Sequence, residues 1–513
     1  MIGPRAAFLE SPLFTRLSLW GTVGLALLFR LPGIRWGLPL KYAHIDESVV
    51  IHYSLRIVAG ALNPDFYDYP GFFLYLLAGL IRLGALVHGW VFGEGLEALV
   101  GGYLAGDATF FTLTARGLTV VFALLTVGLA FSMGLRRSRW VVGLGAATLI
   151  AVNALHIRSS HYGMIDVTAA FFTLLAMDKI VEFGLTQRIR DGAVAAFLVG
   201  LGAATKYYPG ILIVPLALLP FLEKHPRPFR MFFVVGGMSV IGLFVGSPFT
   251  LLSAGEFLSR FKHLAPKIVG IPTHSVPFIP TIVNLWQNAG PVALLAGVTG
   301  LGYSFWEKGA NAPWRLLAIL WLTLFIFLGC WTHQPAHYGL ALYPPLFLFG
   351  IHAADRIPWR HPMPVLLLVG VLLVYALPSA VREIQYLQRP DTRLLAADWV
   401  RGNIPPGSKI LRFSHTPDFK RSDPFQITVD FTDERLAWMG QGRDAQDQGI
   451  KTLSEFDYMI LGGDSSSVDD TTALFDDSFV LLKRFTDPAP SGFHNPMLSI
   501  YATRDRPFVP KAR

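Results

Sequence analysis

Apolar runs of near bilayer-crossing length recur from residue 17 to residue 381 and then stop. A helix needs about 20 predominantly apolar residues to cross a bilayer, and inside lipid every backbone polar group must be bonded internally. Residues 1–385 are therefore expected to form a bundle of spanning α-helices. Composition agrees: 52% of residues are hydrophobic, 15% are charged, and Phe numbers 39. Residues 391–513 are different, rich in Asp, Arg, Ser and Thr with no run long enough to span. They predict one small soluble domain.

The net charge of +8 does not point to nucleic acid. The basic residues fall mainly in short loops between apolar runs, where membrane orientation demands them. The single cysteine, Cys330, excludes an intrachain disulfide and a thiolate metal cluster, and its apolar surroundings predict a packed side chain. Arg5 and Arg16 precede an apolar stretch at 17–29 with no small-residue cleavage pattern after it, which predicts a retained first span.

Basic loops occur at Arg136 to Arg139, Thr186 to Arg190, Lys224 to Arg230, Lys308 to Arg315 and Arg356 to Arg360. If all face the cytoplasm, the apolar segments between them must pair, and they do: 140–157 with 164–183, 192–205 with 208–222, 230–249 with 287–306, and 313–331 with 337–352. A last span at 362–380 carries the chain out. Parity at the start holds if 71–92 lies in the outer leaflet, where Arg82, His88 and Trp90 suit an interface. The expectation is about eleven crossings plus interfacial helices, with the N-terminus cytoplasmic and the soluble domain outside.

This arrangement puts the chemically suggestive clusters on the outer face. Asp46-Glu47 lies in the first outer loop, beside His44. Adjacent acids at a membrane rim are costly and need a reason. One reason is capping, because the residues from Ser48 to Gly60 look helical and acids favour a helix N-terminus. The other is general-base chemistry: carboxylates beside low-dielectric lipid gain proton affinity and can take a proton from an acceptor hydroxyl. Asp166 ends the run Ser159-Ser160-His161-Tyr162-Gly163-Met164-Ile165-Asp166, with Arg158 and His161 as candidate partners. It is either a cap or a group that orients substrate, base or metal. Lys206 lies in Thr205-Lys206-Tyr207-Tyr208 between short spans; it either snorkels or meets a lipid phosphate.

His333, His337 and Tyr338 follow another span as interfacial anchors or phosphate ligands, and Pro335 weighs against a helical metal pair. The 250–286 loop, with Phe257, Phe261, Arg260 and Lys262, reads as an amphipathic surface helix and a proline-bounded flap. In the tail, Thr392 to Asn403 is expected to be helical. Lys409 to Phe413, Asp457 to Leu461, Phe479 to Phe485 and Met497 to Ala502 are expected to be strands.

Taken together these residues resemble the GT-C glycosyltransferases, in particular bacterial relatives of the protein O-mannosyltransferases and of the lipid A aminoarabinose transferase. The resemblance covers roughly residues 15–380 and rests on order and spacing. Asp46-Glu47 matches the acidic pair of the family's first outer loop. Tyr69-Pro70-Gly71-Phe72 matches the segment that opens an interfacial helix, with Tyr69 where many relatives have Lys or His. Arg158 to Asp166 matches a segment ending in Asp, Thr205-Lys206 a Thr-Lys step, and His337-Tyr338 a basic-Tyr pair that usually carries Arg.

The resemblance implies a GT-C fold in a bacterial inner membrane and an inverting transfer of one sugar from a polyprenyl-phosphate donor. It implies Asp46 as general base, with Glu47 and Asp166 orienting the acceptor or a cation. Lys206, Tyr207, His333, His337 and Tyr338 would bind the donor phosphate, and His44, Tyr69, Pro70, Arg158 and His161 would line the substrate cavity. The acceptor could be a glycan, a lipid or a protein. No cofactor is assigned; members differ in their need for a divalent cation. The rival classes are a transporter or flippase and a non-catalytic assembly partner. A transporter should place its acids near the midplane and show related halves, whereas these acids lie on one rim and no internal repeat is evident.

Overall fold

The computed structural model describes residues 11–269, 276–306, 313–331, 334–358, 362–413, 415–419, 423–430, 452–463, 479–486 and 495–504. The chain forms two compact units. One comprises residues 1–34, 49–84 and 113–384, the other residues 35–48, 85–112 and 385–513.

The first unit is a helical bundle. Among the described residues, four helices are long and apolar enough to cross a membrane, or five if one bent pair counts as a span. They include Phe72–Phe92, Thr109–Arg137 and Pro228–Gly246, and a fourth that begins at Met363. Shorter apolar helices at Pro12–Leu28, Tyr208–Leu222, Pro291–Trp306 and Pro313–Gly329 complete the set. Phe72–Phe92 is one unbroken helix of 21 residues. Neither length nor composition separates it from the others, although loop parity assigned it to the outer leaflet. The apolar run at 287–306 is divided at Gly290, whose φ of 87° ends the Ile279–Ala289 helix before Pro291–Trp306 begins. Cys330 is exposed rather than packed, because it lies just beyond the end of Pro313–Gly329.

Small residues let these helices approach closely. A side chain on Gly200 would collide with the backbone of Ser239, and one on Gly242 with the backbone of Phe197. Ile189–Ala203 and Pro228–Gly246 therefore touch backbone to backbone. Gly300 makes the same approach to Phe349 on Tyr343–Asp355.

The bent pair is Trp140–Ala151 and Ala154–Ser160, which meet at 61°. A break exposes the last carbonyls of the first helix, which need partners in an apolar setting. Arg30 supplies them. Its buried guanidinium donates to Ala151 O at 2.8 Å and Ile150 O at 3.2 Å, and its Nη2 lies 2.9 Å from His156 Nδ1. A cation at a helix C-terminus is also favoured by the helix dipole. On the far side of the break, Asn153 caps the new helix by accepting from His156 N at 2.9 Å.

Contacts between loops sort them into two sets. Arg139 pairs with Asp355 at 3.0 Å, and Gln187 O lies 3.2 Å from His225 Nε2. These residues sit in or beside the basic loops. In the other set, Tyr207 donates to Tyr67 O at 2.9 Å, Tyr67 to Glu256 at 2.9 Å, and Asn284 to Gln334 O at 3.0 Å. Loops that the charge pattern placed on one face thus contact each other.

The second unit holds a five-stranded sheet of order β2-β1-β3-β5-β4. The strands are β1 Lys409–Arg412, β2 Gln426–Val429, β3 Tyr458–Gly463, β4 Phe479–Phe485 and β5 Met497–Thr503. β1 pairs in parallel with β2 and β3, while β5 runs antiparallel to β3 and β4. Side chains alternate faces along a strand. Ile410, Tyr458 and Ile460 accordingly pack with Ala396 and Val400 of the Thr392–Asn403 helix. Leu411, Met459 and Leu461 pack on the other face with Leu453 and Phe456. Four strands fall where the sequence predicts them. β2 was not foreseen, since four residues are too few for a pattern.

Candidate active site

In the helical unit the geometry centres on Asp166 and Lys206. Asp166 lies in the first turn of Ile165–Thr186, where unpaired backbone N–H groups favour an acid. Lys206 follows the Ile189–Ala203 helix, its N–H bonded to Gly202 O at 3.0 Å. The side chains meet at 2.6 Å, Lys206 Nζ donating to Asp166 Oδ1. Both residues are buried, with 7% and 8% of their surface exposed. An unpaired charge at such a depth is costly, so each stabilises the other.

Two tyrosines complete the setting. The Lys206 ammonium stands 3.9 Å from the centre of the Tyr338 ring and 6.0 Å from that of Tyr208. A cation over an aromatic face gains electrostatic attraction, more so when desolvated. Tyr208 is buried. Tyr338 lies in the 3-10 turn Ala336–Leu342, edge-to-face against His337 at 4.9 Å and Trp331 at 5.8 Å.

An aromatic wall stands beside this pair. Tyr207 packs against Phe257 and Phe261, with ring centres 5.6 and 6.1 Å away. Both belong to Ala254–Val269, the predicted amphipathic helix. Arg260 of that helix grips Asp68 in a two-pronged pair at 2.5 and 2.7 Å. The Asp68 carboxylate, through its hydrogen bonds and its charge, raises the Arg260 pKa. The segment around Tyr69 and Pro70 is pinned nearby. Tyr69 packs on Phe66 at 5.5 Å and Pro70 is buried. Gly71 N donates to Ser247 Oγ at 2.8 Å, and Phe72 N to Ala204 O at 3.1 Å, two residues before Lys206.

Two candidates for the cavity wall are held by neighbouring groups. Arg158 forms a two-pronged pair with Glu383 at 2.7 and 2.5 Å. The His161 ring is fully buried between Ile157 O at 2.8 Å and Pro32 O at 2.9 Å, which welds the chain leading to Asp166. His337 is half-buried. His333 lies outside the described residues.

In the other unit lie His44, Asp46 and Glu47. Ser48 N donates to His44 O, which makes His44 the cap of the Ile45–Val58 helix, and its Nδ1 accepts from Glu47 N at 3.4 Å. Asp46 and Glu47 lie in the first turn of the same helix, where the dipole favours acids. Glu47 is 3% exposed, whereas Asp46 is half-buried and the more accessible acid.

The sequence did not single out Arg30, Glu383 or Ser247, and Tyr208 entered only as a neighbour of Lys206. For Arg30 a signal existed, since an arginine at the end of an apolar run needs a polar partner. Among the described residues no group of three His, Cys, Asp or Glu side chains converges as metal ligands. A cavity of about 270 Å³ lies elsewhere in the bundle, near the basic loops, bounded by Gly184, Leu218, Glu223 and Arg315. It holds none of the candidate residues.

No family model and no curated protein matches the sequence. Solved structures do. ArnT from Cupriavidus metallidurans bound to undecaprenyl phosphate aligns at 12% identity over 95% of this chain and 97% of that one, with a TM-score of 0.55. The Archaeoglobus fulgidus oligosaccharyltransferase in its apo form aligns at 12% identity over 94% and 75%, with a TM-score of 0.54. The same organism's oligosaccharyltransferase AglB, in complex with an inhibitory peptide and a dolichol-phosphate, aligns at 11% identity over 96% and 74%, with a TM-score of 0.50. The fold of this chain is thus similar to that of ArnT and of the archaeal oligosaccharyltransferase.

Proposed function

We propose that this protein is an integral membrane glycosyltransferase that moves one sugar from a polyprenyl-phosphate donor to an acceptor on the outer face of the membrane. The observation that carries the reading is the buried Lys206 ammonium, shared between Asp166 and the Tyr338 ring. An ammonium has three donors, and Asp166 takes one. The remaining positive field suits a phosphate that arrives at the membrane rim on a lipid. Fold neighbours bound to undecaprenyl phosphate and to dolichol-phosphate support that ligand class.

In the proposed reaction an acceptor hydroxyl oxygen attacks the anomeric carbon of the donor sugar. The bond from that carbon to the phosphate oxygen breaks, and its electron pair leaves with the lipid phosphate. The hydroxyl proton passes to Asp46, the general base. Lys206, with Tyr207, His333, His337 and Tyr338, holds the phosphate as its charge grows. Glu47 and Asp166 orient the acceptor or a cation. Attack opposite the leaving group inverts the anomeric centre. The chain crosses the bacterial inner membrane about eleven times, with the active site and soluble domain extracytoplasmic. Residues 1–385 form the catalytic domain and 391–513 the soluble one.

The test is product analysis. The purified protein in lipid nanodiscs is given polyprenyl-phosphate sugars of defined anomeric configuration and a membrane extract as acceptor source. Released polyprenyl phosphate with an inverted product linkage supports the proposal. A retained linkage contradicts the single-displacement mechanism, and failure to release lipid phosphate from any donor contradicts the transferase.

A further inference from the structure

The unit that contains the tail also contains residues 35–48, and therefore the acidic dipeptide. The tail begins with Asp391, which caps the Thr392–Asn403 helix by accepting from Arg393 N at 2.9 Å. Its carboxylate also holds the Arg393 guanidinium, at 2.8 Å from Nε and 2.6 Å from Nη2. The remaining nitrogen, Nη1, reaches into the first loop and donates to Ala43 O at 2.7 Å and Tyr42 O at 3.3 Å. Arg393 is fully buried. Burial pulls its pKa down, but the Asp391 carboxylate more than offsets this, so the group is raised and stays charged.

Arg393 is anchored from behind as well. Thr392 N donates to Asn495 Oδ1 at 3.1 Å, and Thr392 Oγ1 to Pro496 O at 2.8 Å. Asn495 and Pro496 lead directly into β5 at Met497. The loop is shaped to receive this grip: Gly37 has φ of 69°, and a side chain there would strike Ala43, with Asp391 in ordinary contact behind it. Ala108 N donates to Pro39 O at 3.1 Å, and Lys41 stands 4.3 Å from the centre of the Tyr103 ring.

A continuous set of bonds thus runs from the sheet through Thr392, Asp391 and Arg393 to the carbonyl of Ala43. The next residue is His44, which caps the helix whose first turn carries Asp46 and Glu47. We propose that the Asp391–Arg393 pair is a positioning element: the soluble domain serves to fix the turn that presents Asp46. The guanidinium suits the task, because its planar fork bonds a carboxylate and a backbone carbonyl in one fixed geometry. The catalytic meaning of this grip rests on Asp46 acting as base; the grip itself does not.

The test uses the full-length protein with Asp391→Asn and Arg393→Met combined. Asn keeps the helix cap, and removing both charges leaves no buried charge unpaired. Protease resistance of the tail checks that the domain still folds, and Arg393→Lys provides a milder variant if it does not. Two readouts follow. A spin label at Ile45→Cys, in a Cys330→Ser background, reports the motion of the turn; Ile45 is exposed and adjoins Asp46. Donor kinetics on unlabelled protein report catalysis.

The proposal expects a label that is immobile in the parent and clearly more mobile in the variant. It expects turnover to fall by about 10- to 100-fold, the scale for a misplaced catalytic group, with the donor KM changed less than about twofold. A merely structural role would lower stability and leave label mobility and the kcat-to-KM split unmoved in the folded fraction. An unchanged label overturns the grip, and a mobile label with unchanged turnover overturns the positioning role. If the parent transfers from no donor, the transferase reading fails while the label still decides the grip.

Discussion

Lys206 and Asp166 meet at 2.6 Å, joining the end of one helical segment to the first turn of another, and the Tyr338 ring lies 3.9 Å from the same ammonium. Breaking a buried pair by removing one partner costs about 3–5 kcal/mol, since the other charge is left uncompensated. Lys206→Met should therefore lower the thermal midpoint sharply and reduce transfer by at least about a hundredfold. Adding Asp166→Leu should restore most of the stability and none of the transfer. Thermal unfolding in detergent beside donor kinetics separates the two effects.

The Arg30 guanidinium closes the break between Trp140–Ala151 and Ala154–Ser160 by bonding the carbonyls of Ile150 and Ala151. Unsatisfied buried acceptors cost about 1–3 kcal/mol each. Arg30→Met should destabilise the protein by at least about 2 kcal/mol by the same principle. Arg30→Lys, with fewer donors, should recover only part of this. The check is the thermal midpoint of each variant.

Asp68 and Arg260 also form a two-pronged pair, yet the arginine side chain is 58% exposed. Exposed pairs contribute about 0–1 kcal/mol and weaken with salt. Arg260→Ala should change stability by less than about 1 kcal/mol, and raising the salt concentration should erase the difference. A large, salt-independent loss would show that the amphipathic helix depends on this contact more than its exposure allows.

Gly200 and Gly236 offer a matched comparison on two contacting helices. A side chain on Gly200 meets the backbone of Ser239, while one on Gly236 meets nothing within 4 Å. Gly200→Ala should cost about 1–3 kcal/mol through overpacking. Gly236→Ala should be neutral or slightly stabilising, because Ala is the better helix former by about 1 kcal/mol. Parallel melting curves decide between them.

Local helices were legible because charge and hydropathy act locally. The helix at 254–269 and the tail helix from Thr392 to Asn403 follow directly from their patterns. The side-chain partners were not legible, because they join residues far apart in sequence. Arg158 finds Glu383, and Arg393 finds Ala43 O, across separations that no local spacing reveals. The break at residues 152–153 was hidden inside an apolar run, where hydropathy is the same on both sides of a bend. The contact of the His44 ring with Glu47 N, at the start of the acidic helix, was likewise not legible in the sequence.

Sugar transfer from a lipid phosphate with Asp46 as base is tested by measuring transfer from a panel of polyprenyl-phosphate sugars, in membranes bearing the parent protein or Asp46→Asn at matched folded levels. Transfer from at least one donor by the parent is expected, with a loss of about a hundredfold or more in the variant. Undiminished transfer by the variant would remove Asp46 from the chemistry, and no transfer from any donor, together with substrate flux into sealed vesicles, would contradict the transferase.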